Sequence, residues 1–142
     1  MSHRDELALR DYLEHIQQAL SRIRRYLTDI DYAVFLANEE KQDAVIRNLE
    51  IIGEAAGNIQ RHFPDFAAKY PNFPLKAAYG TRNVLTHGYF KVDLDVVWKT
   101  VERDLPMLAV QVSEVISTIG HSQGRADLTG DPPSATADGS KT

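Results

Sequence analysis

The chain has 142 residues, long enough for one domain with a real core, because a chain of this size buries roughly 68–70% of its unfolded surface. Its 16 Lys+Arg against 20 Asp+Glu give a formal charge of -4, so the bulk balance marks neither a nucleic-acid nor a membrane binder, and any anionic partner must be held locally. The lack of cysteine excludes disulfides, thiolate metal sites and cysteine nucleophiles. No apolar run approaches the roughly 20 residues of a membrane span, and no apolar signal segment follows Met1. A cytoplasmic protein without a membrane partner, its mature chain starting at Met1, is therefore expected.

From Asp5 to Ile30 the apolar residues Leu9, Tyr12, Leu13, Ile16, Leu20, Ile23, Leu27 and Ile30 recur at threes and fours. That spacing predicts a long amphipathic helix with Arg10, Glu14, Gln17 and Arg24 on its polar side. The register is lost between Asp29 and Ala37. Asn38 followed by Glu39 and Glu40 has the chemistry of a helix start, because the side-chain amide caps free N–H groups and the carboxylates suit the positive end of the dipole. In the helix that follows, Val45, Leu49, Ile52, Ala56, Ile59 and Phe63 form the stripe. Gly53, Ala55, Ala56 and Gly57 keep one section slender enough for a neighbouring helix to approach closely, and Pro64 ends the run.

Between Pro64 and Pro74, Phe63, Phe66, Tyr70 and Phe73 alternate with three prolines, the pattern of an ordered connection with a single helical turn. A shorter third helix is expected from Pro74 through Leu75, Ala78, Tyr79, Arg82 and Leu85 to Gly88, which suits a C-cap. Asp93 is the expected N-cap of a fourth helix, striped by Val97, Val101, Leu105, Leu108, Val112, Ile116 and Ile119 and kinked or broken at Pro106. From Gly120 to Thr142 the composition turns to Gly, Ser, Thr, Pro, Ala and Asp, with Leu128 the single large apolar residue, and a disordered tail is expected. The organisation is thus an all-α, antiparallel four-helix bundle over residues 1–119, followed by a 120–142 tail.

One segment concentrates reactive side chains. Arg82, Asn83, His87 and Tyr89 put a guanidinium, an amide, an imidazole and a phenol within eight residues of a helix end. The guanidinium fork matches phosphate oxygens and imidazole exchanges protons near neutral pH. Metal-independent RNA cleavage needs a base for the 2′-hydroxyl, an acid for the leaving oxygen and positive charge at the developing phosphorane. Residues five apart on an ideal helix diverge by about 140°, so Arg82 and His87 converge only if the helix ends between them or a second chain contributes. A homodimer would supply both motifs to one cleft. The same residues could instead cap and hydrogen-bond a helix end.

The spacing Arg82-x-x-x-x-His87-x-Tyr89, with polar Asn83 after the arginine, resembles the signature of the HepT-type toxins of the HEPN superfamily of helical ribonucleases. Residues 42–56 are similar to that family's second-helix block and 88–93 to the segment after its motif, so the resemblance runs from roughly Arg10 to Leu108. It implies a HEPN-like endoribonuclease toxin that uses no cofactor and no metal, with Arg82 and His87 catalytic, Asn83 supporting them, and two copies meeting at the motif. It also implies an MntA-like minimal nucleotidyltransferase as antitoxin, transferring AMP to Tyr89, and an RNA substrate, with tRNA a candidate. Added bulk and negative charge on Tyr89 would oppose an RNA phosphate. Phe73-Pro74-Leu75 stands where the family pattern has a tryptophan. A catalytically silent helical partner that binds a nucleotidyltransferase and helps present its substrate is the alternative.

Other constellations are weaker. Glu50 and Glu54 lie one turn apart, but no Glu-x-x-His accompanies them as a helical di-metal site requires. Asp93-x-Asp95 reads as capping. His15 and His62 suggest no shared site. Arg22, Arg24 and Arg25, with Arg61, Lys69, Lys76 and Lys91, could rim an RNA site, though Arg24 and Arg25 point to different helix faces and a solvated charge run is the plainer account.

Overall fold

The computed structural model describes residues 2–75, 78 and 93–129, with side chains described as far as Ile119. Every regular element among them is helical: α1 (His3–Tyr26), α2 (Tyr32–Leu36), α3 (Glu39–His62), α4 (Phe66–Lys69), α5 (Leu94–Lys99), a π-helical turn (Thr100–Asp104) and α6 (Leu105–Thr129). The protein is the all-α bundle its periodicities predict.

Helix α1 starts two residues ahead of the expected Asp5 because Ser2 and Asp5 form a reciprocal capping box. The Asp5 N–H donates to the Ser2 hydroxyl at 3.1 Å and the Ser2 N–H to the Asp5 carboxylate at 3.4 Å. It stops at Tyr26 rather than Ile30, where the chain turns through Asp29 in the left-handed region at φ 60°. Aspartate is among the few non-glycine residues that visit this region. The turn leads into α2, a helix that periodicity missed because five residues are too few to declare a period. Asp31 caps it, accepting from the Val34 N–H at 2.9 Å, and its Phe35 is fully buried. Gln42 ties α2 to α3 by donating to the carbonyls of Phe35 (2.9 Å) and Leu36 (3.1 Å).

Asn38 caps α3 as expected, accepting from the Lys41 N–H at 3.0 Å. Helices α1 and α3 run antiparallel: Tyr12 near the start of α1 meets His62 and Phe63 at the end of α3, while Arg22 near the end of α1 meets Asn48 near the start of α3. Leu13, Ile16, Ile23, Val45, Ile52 and Ile59 are buried on these helices, and Gly53, Ala55, Ala56 and Gly57 are buried with them. The slender section of α3 therefore faces the interior. After His62 the connection holds one helical turn, α4, with Phe66 packed edge-to-face on Phe73 at 5.1 Å and tilted on Tyr70 at 5.1 Å. Of the expected third helix, Pro74, Leu75 and Ala78 are described: Pro74 stands just before the helical residues, and Leu75 and Ala78 are helical and buried; the rest lies outside the described residues.

Asp93 caps α5, accepting from the N–H groups of Asp95 (3.0 Å) and Val96 (3.3 Å). The disturbance expected at Pro106 takes the form of the π turn: the Leu105 N–H reaches back five residues to the Thr100 carbonyl, just where Pro106, lacking an N–H, could not continue an α ladder. The wider turn also keeps the buried stripe in phase. Val97 and Leu105, eight apart, would diverge by about 80° on an uninterrupted α-helix, yet both are buried, as are Leu108, Val112, Val115 and Ile119 beyond. Helix α6 then runs past the expected end at Ile119 to Thr129, because an established helix extends one hydrogen bond at a time at little cost.

Candidate functional site

The sequence-predicted residues Arg82, Asn83, His87 and Tyr89 all lie outside the described residues. What the structure describes is the frame on either side of them.

On the entering side, the Phe66, Tyr70 and Phe73 cluster leads into Leu75 and Ala78, both buried in the common core. On the leaving side, the chain meets the capped first turn of α5. There the Tyr32 hydroxyl donates to Asp95 Oδ1 at 3.2 Å, and Lys99 Nζ pairs with Asp95 Oδ2 at 3.0 Å. The Trp98 ring lies 5.7 Å from Tyr32 and 5.2 Å from Phe35, tilted against both, an arrangement aromatic quadrupoles favour. The hydrogen bond from Lys99 holds the Asp95 carboxyl below its ordinary range, aided by the Lys99 charge. Partial desolvation, then the negative charge and hydrogen bond of Asp95, push the Tyr32 phenol above its ordinary value. The two shifts share one geometry and stabilise a neutral phenol donating to a charged carboxylate. Sequence reading gave Asp95 a capping role only and passed over Tyr32; a tyrosine beside the Asp31 cap in a register gap was the signal.

The basic residues separate as their helix positions require. Arg24 lines an open groove of about 770 Å³ between α1 and the α5–α6 arm, beside Glu102, Pro106 and Val110. Arg22 and Arg25 turn toward α3. Arg22 donates to Oδ1 of Asn48 at 3.4 Å, and Asn48, only 4% exposed, donates onward to the Ala44 carbonyl at 2.8 Å. Arg25 and Lys41 both stand over the Tyr26 ring, 5.9 and 5.8 Å from its centroid. Glu50 and Glu54 are exposed, and no group of three potential metal ligands occurs among the described residues. His62 stacks on Tyr12 at 6.5 Å and His15 is exposed, so the structure does not bring them together with the Tyr32–Asp95 cluster. No helix among the described residues is long and apolar enough to cross a membrane.

Comparison with known proteins places the chain. The profile of a family described as "Ribonuclease HepT-like" matches residues 16–115. A protein of Thermococcus cleftensis named as a probable ribonuclease HepT is 43% identical over 99 residues, 70% of this chain and 87% of that one. A protein of Methanocaldococcus jannaschii, given a provisional RNase name, is 41% identical over 115 residues, 81% of this chain and 100% of its own. A Caldanaerobacter subterraneus protein with a similar name is 35% identical over 107 residues, 75% and 93% of the two chains. No solved structure matches significantly.

Proposed function

Because the chain belongs to the HepT-like ribonuclease family, we propose that it is an endoribonuclease toxin in which Arg82 and His87 cleave RNA phosphodiesters without a metal. The observation that carries this reading is the family match over residues 16–115, which encloses Arg82, Asn83, His87 and Tyr89 in their signature spacing. His87 accepts the 2′-hydroxyl proton as that oxygen attacks the adjacent phosphorus. The P–O5′ bond breaks, the leaving oxygen is protonated, and the products are a 2′,3′-cyclic phosphate and a 5′-hydroxyl. Arg82 balances the charge that builds on the phosphoryl oxygens, which a planar donor fork does best, and Asn83 supports it with a neutral donor. Two copies of the chain complete one cleft, since five-residue spacing on a single helix separates the two side chains.

The same reading supplies the control. An MntA-like nucleotidyltransferase antitoxin transfers AMP from ATP to Tyr89: the phenolic oxygen attacks the α-phosphorus, pyrophosphate leaves and the phenol proton goes to solvent. The adenylate then opposes RNA by bulk and by like charge. Single-stranded regions of RNA, tRNA among them, are the substrate class.

The test is cleavage of bulk RNA and tRNA in excess EDTA by wild type, Arg82→Ala and His87→Ala. The expected result is cleavage by wild type alone, ending in cyclic phosphates. Equal cleavage by the variants would overturn the assignment. Intact mass after co-expression with an MntA-like nucleotidyltransferase should rise by whole AMP units, and not in Tyr89→Phe. A protein that binds that partner yet leaves RNA untouched would be the silent helical partner instead.

A further inference from the structure

We propose that the seam between α1 and α3 carries a second RNA contact, a phosphate-binding strip made by Arg22, Arg25 and Lys41. It rests on the ribonuclease reading for the identity of the polyanion, and on the described side chains for its place.

The strip is built rather than merely basic. Arg22 and Arg25 are one turn apart on α1 and so share a face, and Lys41 joins them from α3 through the common Tyr26 ring. Cations held over an aromatic ring within about 6 Å are attracted to its face, which fixes their positions while their N–H groups stay available. Arg22 is fixed differently. Among the described residues it donates to the Asn48 amide oxygen at 3.4 Å, and that amide is itself set by its 2.8 Å bond to the Ala44 carbonyl.

Asn48 is the buried polar residue of the described core, and a buried amide must be hydrogen-bonded to be tolerated. It spends one end on its own helix and the other on presenting a guanidinium.

No carboxylate among the described residues pairs with Arg22, Arg25 or Lys41; the ion pairs there are Arg10 with Glu14 and Lys99 with Asp95. The exposed Asp29 and Glu40 adjoin the strip in sequence and form no ion pair with it. Arg24 marks the contrast: one residue from Arg25, it lines grooves that also hold Glu102 and Glu114. In a chain of formal charge -4, three cations on one seam with no carboxylate partner among the described residues form the local attraction that a phosphate backbone needs. The strip shares no residue with the segment 82–89 and would add its phosphate contacts to those of the cleavage motif.

The experiment measures binding of a labelled single-stranded RNA oligonucleotide to the full chain carrying His87→Ala, across a salt series, so that cleavage plays no part. Combined Arg22→Gln, Arg25→Gln and Lys41→Gln changes should weaken binding at least tenfold at low salt. The log-log salt slope should become shallower by about two, following roughly 0.7 per single-strand phosphate contact. A charge-matched control, Arg4→Gln with Arg10→Gln and Arg103→Gln, should bind like its parent, and melting curves should show all three proteins folded. Equal loss in the control, an unchanged slope in the strip variant, or a parent that binds no RNA would each overturn the proposal. Failure of the wild type to cleave RNA would defeat the ribonuclease reading and leave a positive binding result standing.

Discussion

Asp95 shows how much one short side chain can organise: it accepts from Tyr32 and pairs with Lys99, next to the Trp98 ring that Tyr32 also touches. Its lowered pKa means that its contribution is present above the ordinary carboxyl value of 3.8 and fades as pH falls through the lower folded value. Tyr32 behaves in the opposite sense, since its raised pKa gives a contribution present below 10.0 and lost as pH rises through the higher folded value. Trp98, the one tryptophan in the chain, reports both limbs. Its emission should hold steady between them, and Tyr32→Phe should flatten most of the alkaline change while leaving the acid limb; an alkaline transition unaltered by the substitution would contradict the geometry. The caps offer a second check. Asn38→Ala, which frees the Lys41 N–H, should cost about 1 kcal/mol in urea unfolding. Caps were readable in advance because their chemistry is local: Asn38 and Asp93 cap where the sequence indicated. The Tyr32–Asp95 bond joins residues 63 apart in sequence, and nothing local encodes that pairing.

Among the helices, α1 and α3 were legible because each shows a 3.6-residue period over twenty-odd positions, α3 almost to the residue and α1 to within four. Their antiparallel seam should be the stiffest part of the bundle. Ile16→Ala or Ile52→Ala, both fully buried, should lose about 2–5 kcal/mol in denaturant titration; losses below 1 kcal/mol would mean that this seam is not close-packed. Phe35→Ala should lose about 3–5 kcal/mol, a large effect for a helix as short as α2. Short elements escape pattern reading for that reason: the burial of Phe35 is settled by what packs against it from far along the chain, the Trp98 ring 5.2 Å away, and not by its neighbours in the sequence.

Over the whole molecule, fold class followed from composition and period, because an amphipathic helix has few ways to cover its apolar stripe other than against other helices. The proposed site was legible in another sense: its residue types stood out in the sequence, while their mutual geometry depends on how the chain between Ala78 and Asp93 folds and, in the proposed mechanism, on a second copy. Sedimentation should accordingly give about twice the 16.0 kDa chain mass, and a monomer at all concentrations would remove the composite cleft. The apolar residues Met107 and Val110 stay exposed and add little to the core, so Met107→Ser and Val110→Ser should each change stability by no more than about 0.5 kcal/mol.

The π turn between Thr100 and Asp104 also bears on how this chain can change length. A π turn is one residue more than an α turn needs, so here the surplus is stored inside a helix, where insertions are usually ruinous because they rotate everything downstream. Excising one exposed residue from that turn, Glu102 for instance, would restore plain α winding and leave Val97 and Leu105 seven apart, about 20° from alignment on an α-helix, so the Leu105 to Ile119 stripe would keep its facing. The same deletion within α6, with no surplus to absorb it, would turn the rest of the stripe by about 100°. The π turn is therefore the place where this helix can lose a residue and keep its packing.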